Sequence, residues 1–194
     1  VSMLFTAISP HNKWRFNTLL TTTHVPLYEV PKRLNAQLII EKLNTLSSFC
    51  EKFNNNPKIA IAGLNPHSGE QGCLGKEEMQ WLIPTINEWK ECNKNIQIEG
   101  PIPPDTCWIS ASQAWKDKQY KNNFFDGYLA LYHDQGLIPV KLIAFESAVN
   151  TTLGLPFIRT SPDHGTAFDI AGKGIARATS MIAAIEAAWE LSEA

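Results

Sequence analysis

The five residues Gly127-Tyr128-Leu129-Ala130-Leu131 form an apolar run next to a turn signal, and they constrain the fold more than any other stretch. A short continuous apolar run of this kind reads as a buried strand. Tyr132-His133-Asp134-Gln135-Gly136-Leu137-Ile138-Pro139-Val140-Lys141 follows directly. It sets an imidazole, a carboxylate and an ammonium just past the carboxyl end of the predicted strand, the edge at which open α/β sheets bind ligands. A strand followed by a solvated loop gives the same local pattern, so the functional reading needs matching pieces from elsewhere.

Two such pieces precede it. Thr21-Thr22-Thr23-His24-Val25-Pro26-Leu27 runs from β-branched residues to a histidine. Pro26 disfavours helix at Val25, so the chain is extended or turning just after His24. Lys58-Ile59-Ala60-Ile61-Ala62 reads as a second buried strand and stops at the Gly- and Pro-rich loop Gly63-Leu64-Asn65-Pro66-His67-Ser68-Gly69-Glu70. Glycines 69, 72 and 75 allow close backbone approach to a ligand, but their spacing is neither G-x-G-x-x-G nor a P-loop.

Between the strands, apolar residues at Ile39, Leu43, Leu46, Cys50 and Phe53 predict an amphipathic helix over 34–53, ended by Asn54-Asn55-Asn56-Pro57. Residues 76–92 predict a second helix, with Pro84 set to kink it or remove a hydrogen bond. Residues 178–192 predict a third, with Met181, Ile182, Ile185, Ala188 and Trp189 at helical spacing. The runs 148–156 and 157–161 are β-rich, and Pro162-Asp163-His164-Gly165-Thr166 reads as a turn. Gly100 to Thr106 reads as a proline-punctuated connection in which Asp105 makes an Asx turn or N-cap, and 112–123 as a solvated surface segment. Strands alternating with helices argue for a layered α/β fold.

Composition narrows the class. The 194 residues carry a formal net charge of −2, which gives no electrostatic case for nucleic acid or an anionic membrane surface. No run reaches the length of a membrane span, and Val1-Ser2-Met3-Leu4-Phe5 lacks the basic region of a secretory signal. The four cysteines show no C-x-x-C spacing, so a cytoplasmic protein with reduced thiols is expected. The chain opens without Met.

His24, His67 and His133 each sit at or near the end of a predicted strand, and none is at helical ligand spacing from another. A metal common to all three would have to be assembled by the tertiary fold or across a dimer interface. Three neutral imidazoles with an open position suit Zn²⁺ or another first-row divalent ion acting as a Lewis acid. Lys141 and Arg159 are suited to an anionic substrate group, the guanidinium by its bidentate fork. His11, after Pro10, reads as a surface histidine.

The segments TTTHVPL, IAGLNPHSGE, GPIPPDT, YHDQGLIPVK and AVNTTLGLPFIRTSPDHGTA, in that order and followed by the closing helix, resemble the 4-hydroxythreonine-4-phosphate dehydrogenase family of pyridoxal phosphate biosynthesis. The likeness extends from about residue 20 to the end. It implies an α/β fold similar to isocitrate and isopropylmalate dehydrogenases, present here in incomplete form because the family's chain is expected to extend further at its N-terminus. It also implies NAD(P)-dependent oxidation and decarboxylation of 4-phosphooxy-threonine, a small phosphorylated hydroxy amino acid. His24, His67 and His133 fall on the positions that hold a divalent metal (Zn²⁺, with Mg²⁺ or Co²⁺ as alternatives) between subunits of a homodimer. Lys141, Asn150 and Arg159 fall on substrate-binding positions. Asp105, Asp134 and Lys141 fall near the reacting centre, where Lys141 is a charge clamp or an acid, and His164 shapes the site or the cofactor edge. No residue is assigned to NAD or NADP.

On this reading residues 1–160 form a metal- and substrate-binding, dimer-forming domain, and 161–194 return towards a further domain, with the final helix exposing its apolar face. Two departures from the family pattern, a long basic stretch at 109–123 and Cys73 in a loop, concern the surface. The rivals are a His₃ metal hydrolase and a non-catalytic dimerisation or metal-binding remnant.

Overall fold

The sequence folds, in a computed structural model that describes residues 1–118 and 124–193, around one mixed sheet with helices on both faces. The chain opens with a hairpin, β1 (Ser2–Ile8) and β2 (Arg15–Leu20), which the mixed composition of the first twenty residues did not signal. Leu4 and Leu19 face one side and Phe5 and Phe16 the other, so both faces are apolar and period-two alternation is lost. Lys13, at φ 65°, turns the chain, and Asn12 Oδ1 accepts from Trp14 N at 2.8 Å.

A short helix α1 (Val30–Arg33) leads to α2 (Ala36–Glu51), capped by Asn35, whose Oδ1 accepts from Leu38 N at 2.9 Å. Its predicted face, Ile39, Leu43, Leu46 and Cys50, is fully buried. Phe53 lies beyond the helix end, under the Arg15 guanidinium at 4.1 Å from the ring centroid. Strand β3 (Lys58–Ala62) follows, then a loop, a π-helical turn Glu78–Leu82 and α3 (Ile83–Cys92). The π-helical turn runs straight into α3, with Ile83 N donating to Glu78 O, so Pro84 lies inside one continuous helical stretch and the irregular turn directly precedes it, as expected of a proline that removes a helical hydrogen bond.

Strand β4 (Gln97–Ile102) takes in Gly100 and Pro101, so the proline-rich connection begins later than expected. Helix α4 (Ile109–Lys116) replaces part of the expected surface segment. Its buried face is small, Ala111 and Ala114 beside Trp115, and so leaves little trace in a hydrophobicity pattern. Residues 119–123 of that segment lie outside the described residues. Asp105 is exposed in the turn before α4 and is not its N-cap, a position held by Trp108.

Strand β5 (Gly127–Ala130) is buried at every residue, as predicted. Helix α5 (His133–Ala144) then follows, so the solvated loop of the alternative reading is not what lies past the strand. Strands β6 (Val149–Leu153) and β7 (Arg159–Pro162) and helix α6 (Thr179–Glu193) complete the chain. The sheet order is β4-β3-β5-β2-β1-β6-β7, with β4, β3, β5 and β2 parallel and β1 antiparallel to its neighbours.

Two cores flank the sheet. Leu19, Ile59, Ile61 and Leu129 pack under α2 and α3, while Phe16, Ala60, Tyr128 and Ala130 pack under α4 and α5. The buried Tyr128 hydroxyl bonds Ser110 Oγ of α4 at 2.8 Å, and burial pushes its pKa up. Helix α6 seats Ala184 and Ala187 on Val149 and exposes Met181, Ile182, Ile185 and Trp189. Among the described residues no helix is long and apolar enough to cross a membrane.

Burial also sorts the cysteines. Burial raises the Cys50 pKa and pushes that of Cys107 up to about 12, whereas Cys73 and Cys92 are exposed. Because the thiolate is the reactive form, titration of the native protein with a chromogenic disulfide should consume two thiols promptly and the remaining two only after denaturation. Four fast thiols in the native protein would contradict the burial of Cys50 in α2 and of Cys107 in the turn before α4.

Candidate metal and substrate site

The carboxyl ends of three neighbouring parallel strands, β3, β5 and β2, all point to one edge of the sheet. Each is followed by one of the three histidines. Beyond β2 and β5 the pairing continues into irregular backbone: Thr21 N donates to Ala130 O at 2.8 Å, and Thr22 N and Oγ1 both reach Leu131 O, at 3.2 and 2.8 Å. This extension carries His24 and His133 side by side, with ring centroids 5.5 Å apart and planes inclined at 48°. They border a cavity of ≈ 390 Å³, lined also by Val25, Leu27, Tyr132 and Asp134.

His133 opens α5, and its Nδ1 lies 2.7 Å from Asp134 Oδ1. A carboxylate only accepts, so in the neutral ring Nδ1 carries the proton and Nε2 is left with its lone pair for a ligand. The acidic residue next to the histidine therefore has a partner that the sequence did not name. Gln135 ties the edge together: Leu131 N donates to its Oε1 and its Nε2 donates to Gly63 O, each at 2.7 Å, which links the ends of β5 and β3. Gln135 was missed because a polar residue between His-Asp and Gly looks solvated. In α5 it is on the buried face.

His67 stands apart. It is exposed, on a turn in which His67, Ser68, Gly69, Glu70 and Gln71 all have positive φ. Non-glycine residues in that region cost roughly 1–2 kcal/mol each, so the turn needs outside support. Ser68 Oγ donates to Pro101 O at 2.9 Å, and the side chain of Glu78 accepts from Leu64 N and Asn65 N. Among the described residues, no group of three or more His, Cys, Asp or Glu side chains is gathered closely enough to hold a metal ion. One chain thus supplies two adjacent imidazoles and presents the third on a separate loop.

The family whose description is "Pyridoxal phosphate biosynthetic protein PdxA" matches residues 2–188. The chain belongs to this family. It is 58% identical over 190 residues to 4-hydroxythreonine-4-phosphate dehydrogenase of Synechococcus sp. (strain RCC307), covering 98% of this chain and 58% of the relative. To the enzyme of the same name from Synechocystis sp. (strain ATCC 27184 / PCC 6803 / Kazusa) it is 57% identical over 195 residues, covering 99% of this chain and 55% of the relative. The crystal structure of 4-hydroxythreonine-4-phosphate dehydrogenase from Klebsiella pneumoniae superposes with a TM-score of 0.77 at 35% identity, covering 100% of this chain and 54% of that one. The chain therefore spans a little over half the length of the relatives it matches.

In this PdxA-family chain the expected substrate residues lie on the α5 side of the sheet. Asn150 pairs directly with Phe5 of β1, whose ring packs in the same core as Leu137 and Val140 of α5. Directly paired residues share a face, so Ser161, opposite Asn150, and Arg159, opposite Thr152, point the same way. Arg159 Nη1 donates to Thr152 Oγ1 at 2.7 Å. Lys141 Nζ lies 2.9 Å from Asp163 Oδ2, just past the other end of β7. The two cations are thus anchored at opposite ends of a strand about 13 Å apart along the backbone. The Asn150 side-chain oxygen is buried and has no hydrogen-bond partner among the described residues. His164 is exposed, its Nδ1 3.0 Å from Gly165 O. Asp105 has neither an ion pair nor a side-chain hydrogen bond among the described residues.

Proposed function

We propose that this chain is the metal- and phosphosubstrate-binding portion of a 4-hydroxythreonine-4-phosphate dehydrogenase. The reaction is NAD(P)-dependent oxidation of 4-phosphooxy-threonine followed by decarboxylation to 3-amino-2-oxopropyl phosphate. The observation that carries this reading is the His24–His133 pair, 5.5 Å between ring centroids at the ligand-binding edge of the sheet, in a chain of the PdxA family. The donor set fits a divalent cation, Zn²⁺ first with Mg²⁺ and Co²⁺ as alternatives, because a neutral imidazole whose second nitrogen is held by a carboxylate is a standard ligand. His24 and His133 would come from one copy and His67 from another. The exposed apolar residues on α5 (Ile138, Leu142), just past its end (Phe145) and on α6 support a homodimer. Such an ion would supply Lewis-acid polarisation of the substrate's alcohol and carbonyl oxygens.

The chain's own residues supply the rest. Lys141 and Arg159 bind the anionic groups, each offering donors that a phosphate or carboxylate accepts. Asn150 binds the substrate through its amide, whose oxygen has no other partner among the described residues. Asp134 fixes the His133 ring, and Asp105, free in its turn, is available near the reacting centre. The fold is read as one part of an isocitrate dehydrogenase-like arrangement, working in the cytoplasm. A His₃ hydrolase and a non-catalytic remnant have no observation in their favour.

Calorimetry with 4-phosphooxy-threonine and Zn²⁺ tests the reading. The chain is expected to bind the substrate, and Lys141→Ala or Arg159→Ala to weaken binding by about 1.5–3 kcal/mol, roughly tenfold to a hundredfold. Turnover by the chain alone should be slight. Binding unaffected by either substitution, or cleavage of phosphomonoesters in place of NAD(P)⁺ reduction, would discard it.

A further inference from the structure

Glu78 is wholly buried, at 0% exposure, and no lysine, arginine or histidine pairs with it among the described residues. Burying a carboxylate without a counter-ion is costly unless its oxygens are hydrogen-bonded. Here they are: Oε1 accepts from Leu64 N at 2.9 Å and Asn65 N at 2.8 Å, and Oε2 accepts from Asn65 Nδ2 at 2.8 Å. All three donors belong to the two residues that lead into the left-handed turn bearing His67. The fit extends further, because a Cβ at Gly69 would stand 2.8 Å from Glu78 Oε2, and one at Gly75 would stand 2.3 Å from the Asn65 amide. The neighbouring Glu77 reaches the same Asn65 Nδ2 at 2.8 Å from the surface side.

We propose that Glu78 is a positioning residue for His67. Its carboxylate holds the entry to the turn, so that an exposed imidazole on strained backbone keeps one orientation before its metal arrives. The proposal rests on the reading above that His67 is a metal donor, and the test separates the two. Co²⁺ is titrated into the purified chain, and its visible absorption, which reports the number and type of ligands, is followed alongside affinity and thermal melting.

His67→Ala is expected to weaken Co²⁺ binding and change the spectrum. Glu78→Gln keeps the side chain's size but turns an amide N–H₂ towards the Asn65 amide. It should fold and weaken Co²⁺ binding by about 10- to 100-fold, the range found when a partner that orients a ligand is removed, with a spectrum altered towards that of His67→Ala. If His67→Ala binds as wild type, the metal reading itself fails. If His67→Ala is impaired while Glu78→Gln keeps wild-type affinity and spectrum, the positioning role alone fails. Should Glu78→Gln not fold, Asn65→Ala, which leaves the carboxylate its two backbone donors, takes its place, and an unchanged Co²⁺ spectrum there overturns the proposal.

Discussion

His133→Ala should reduce Zn²⁺ affinity by more than about 100-fold, beyond the range that changes to orienting partners produce. His24→Ala should do the same, because the two rings stand 5.5 Å apart on backbone that the β2–β5 pairing holds together. The double substitution should add little to either single one, since removing one imidazole of an adjacent pair already dismantles the donor set, and groups acting as a unit are non-additive. His11→Ala is the control and should leave affinity unchanged, its side chain being exposed in the turn after β1. Competition against a chromophoric chelator gives the affinities, and mass spectrometry of the metal gives the stoichiometry. A His133→Ala chain that still takes up one equivalent of Zn²⁺ with wild-type affinity would end the metal reading of this edge.

The second large effect is expected at Gly136, where α5 meets the sheet. A Cβ there would stand 2.5 Å from Leu20 Cδ2, 3.0 Å from Ala130 Cβ and 3.1 Å from Thr18 Cγ2. The leucine tip can shift, but the Ala130 and Thr18 atoms are fixed close to strand backbone. Gly136→Val must therefore push the helix off β2 and β5, at a cost of about 3 kcal/mol from overpacking. For a chain of this size that corresponds to a fall in Tm of roughly 6–12 °C. Because His133 is the first residue of the same helix, the displaced helix should also carry its ring away from His24, lowering metal affinity along with stability. Calorimetry and metal titration on the same variant check both halves. A Tm within a degree or two of wild type would show that α5 does not lie where the structure has it.

Local pattern made part of this molecule legible. Helices α2 and α6 announce themselves by apolar residues at three- and four-residue spacing, and β3 and β5 by unbroken apolar runs, because each property depends only on neighbours along the chain. The hairpin of β1 and β2 was obscured because both its faces are buried. Helix α5 was obscured because Gly136 and Pro139, residues that normally end helices, sit within it. Gly136 is there for close approach to the strands, and burial against the sheet outweighs the hydrogen bond that Pro139 cannot make.

By itself the sequence determined that the fold is α/β, that it belongs with the PdxA proteins by the order of its motifs, and that three histidines follow strand ends. Only the tertiary structure decided that His24 and His133 are neighbours while His67 is presented on its own loop, and that Glu78 rather than Glu77 turns inward to brace it. Adjacency across a sheet depends on which distant strands pair, and the inward side of a turn on what packs against it. Neither is a property of residues close together in the chain.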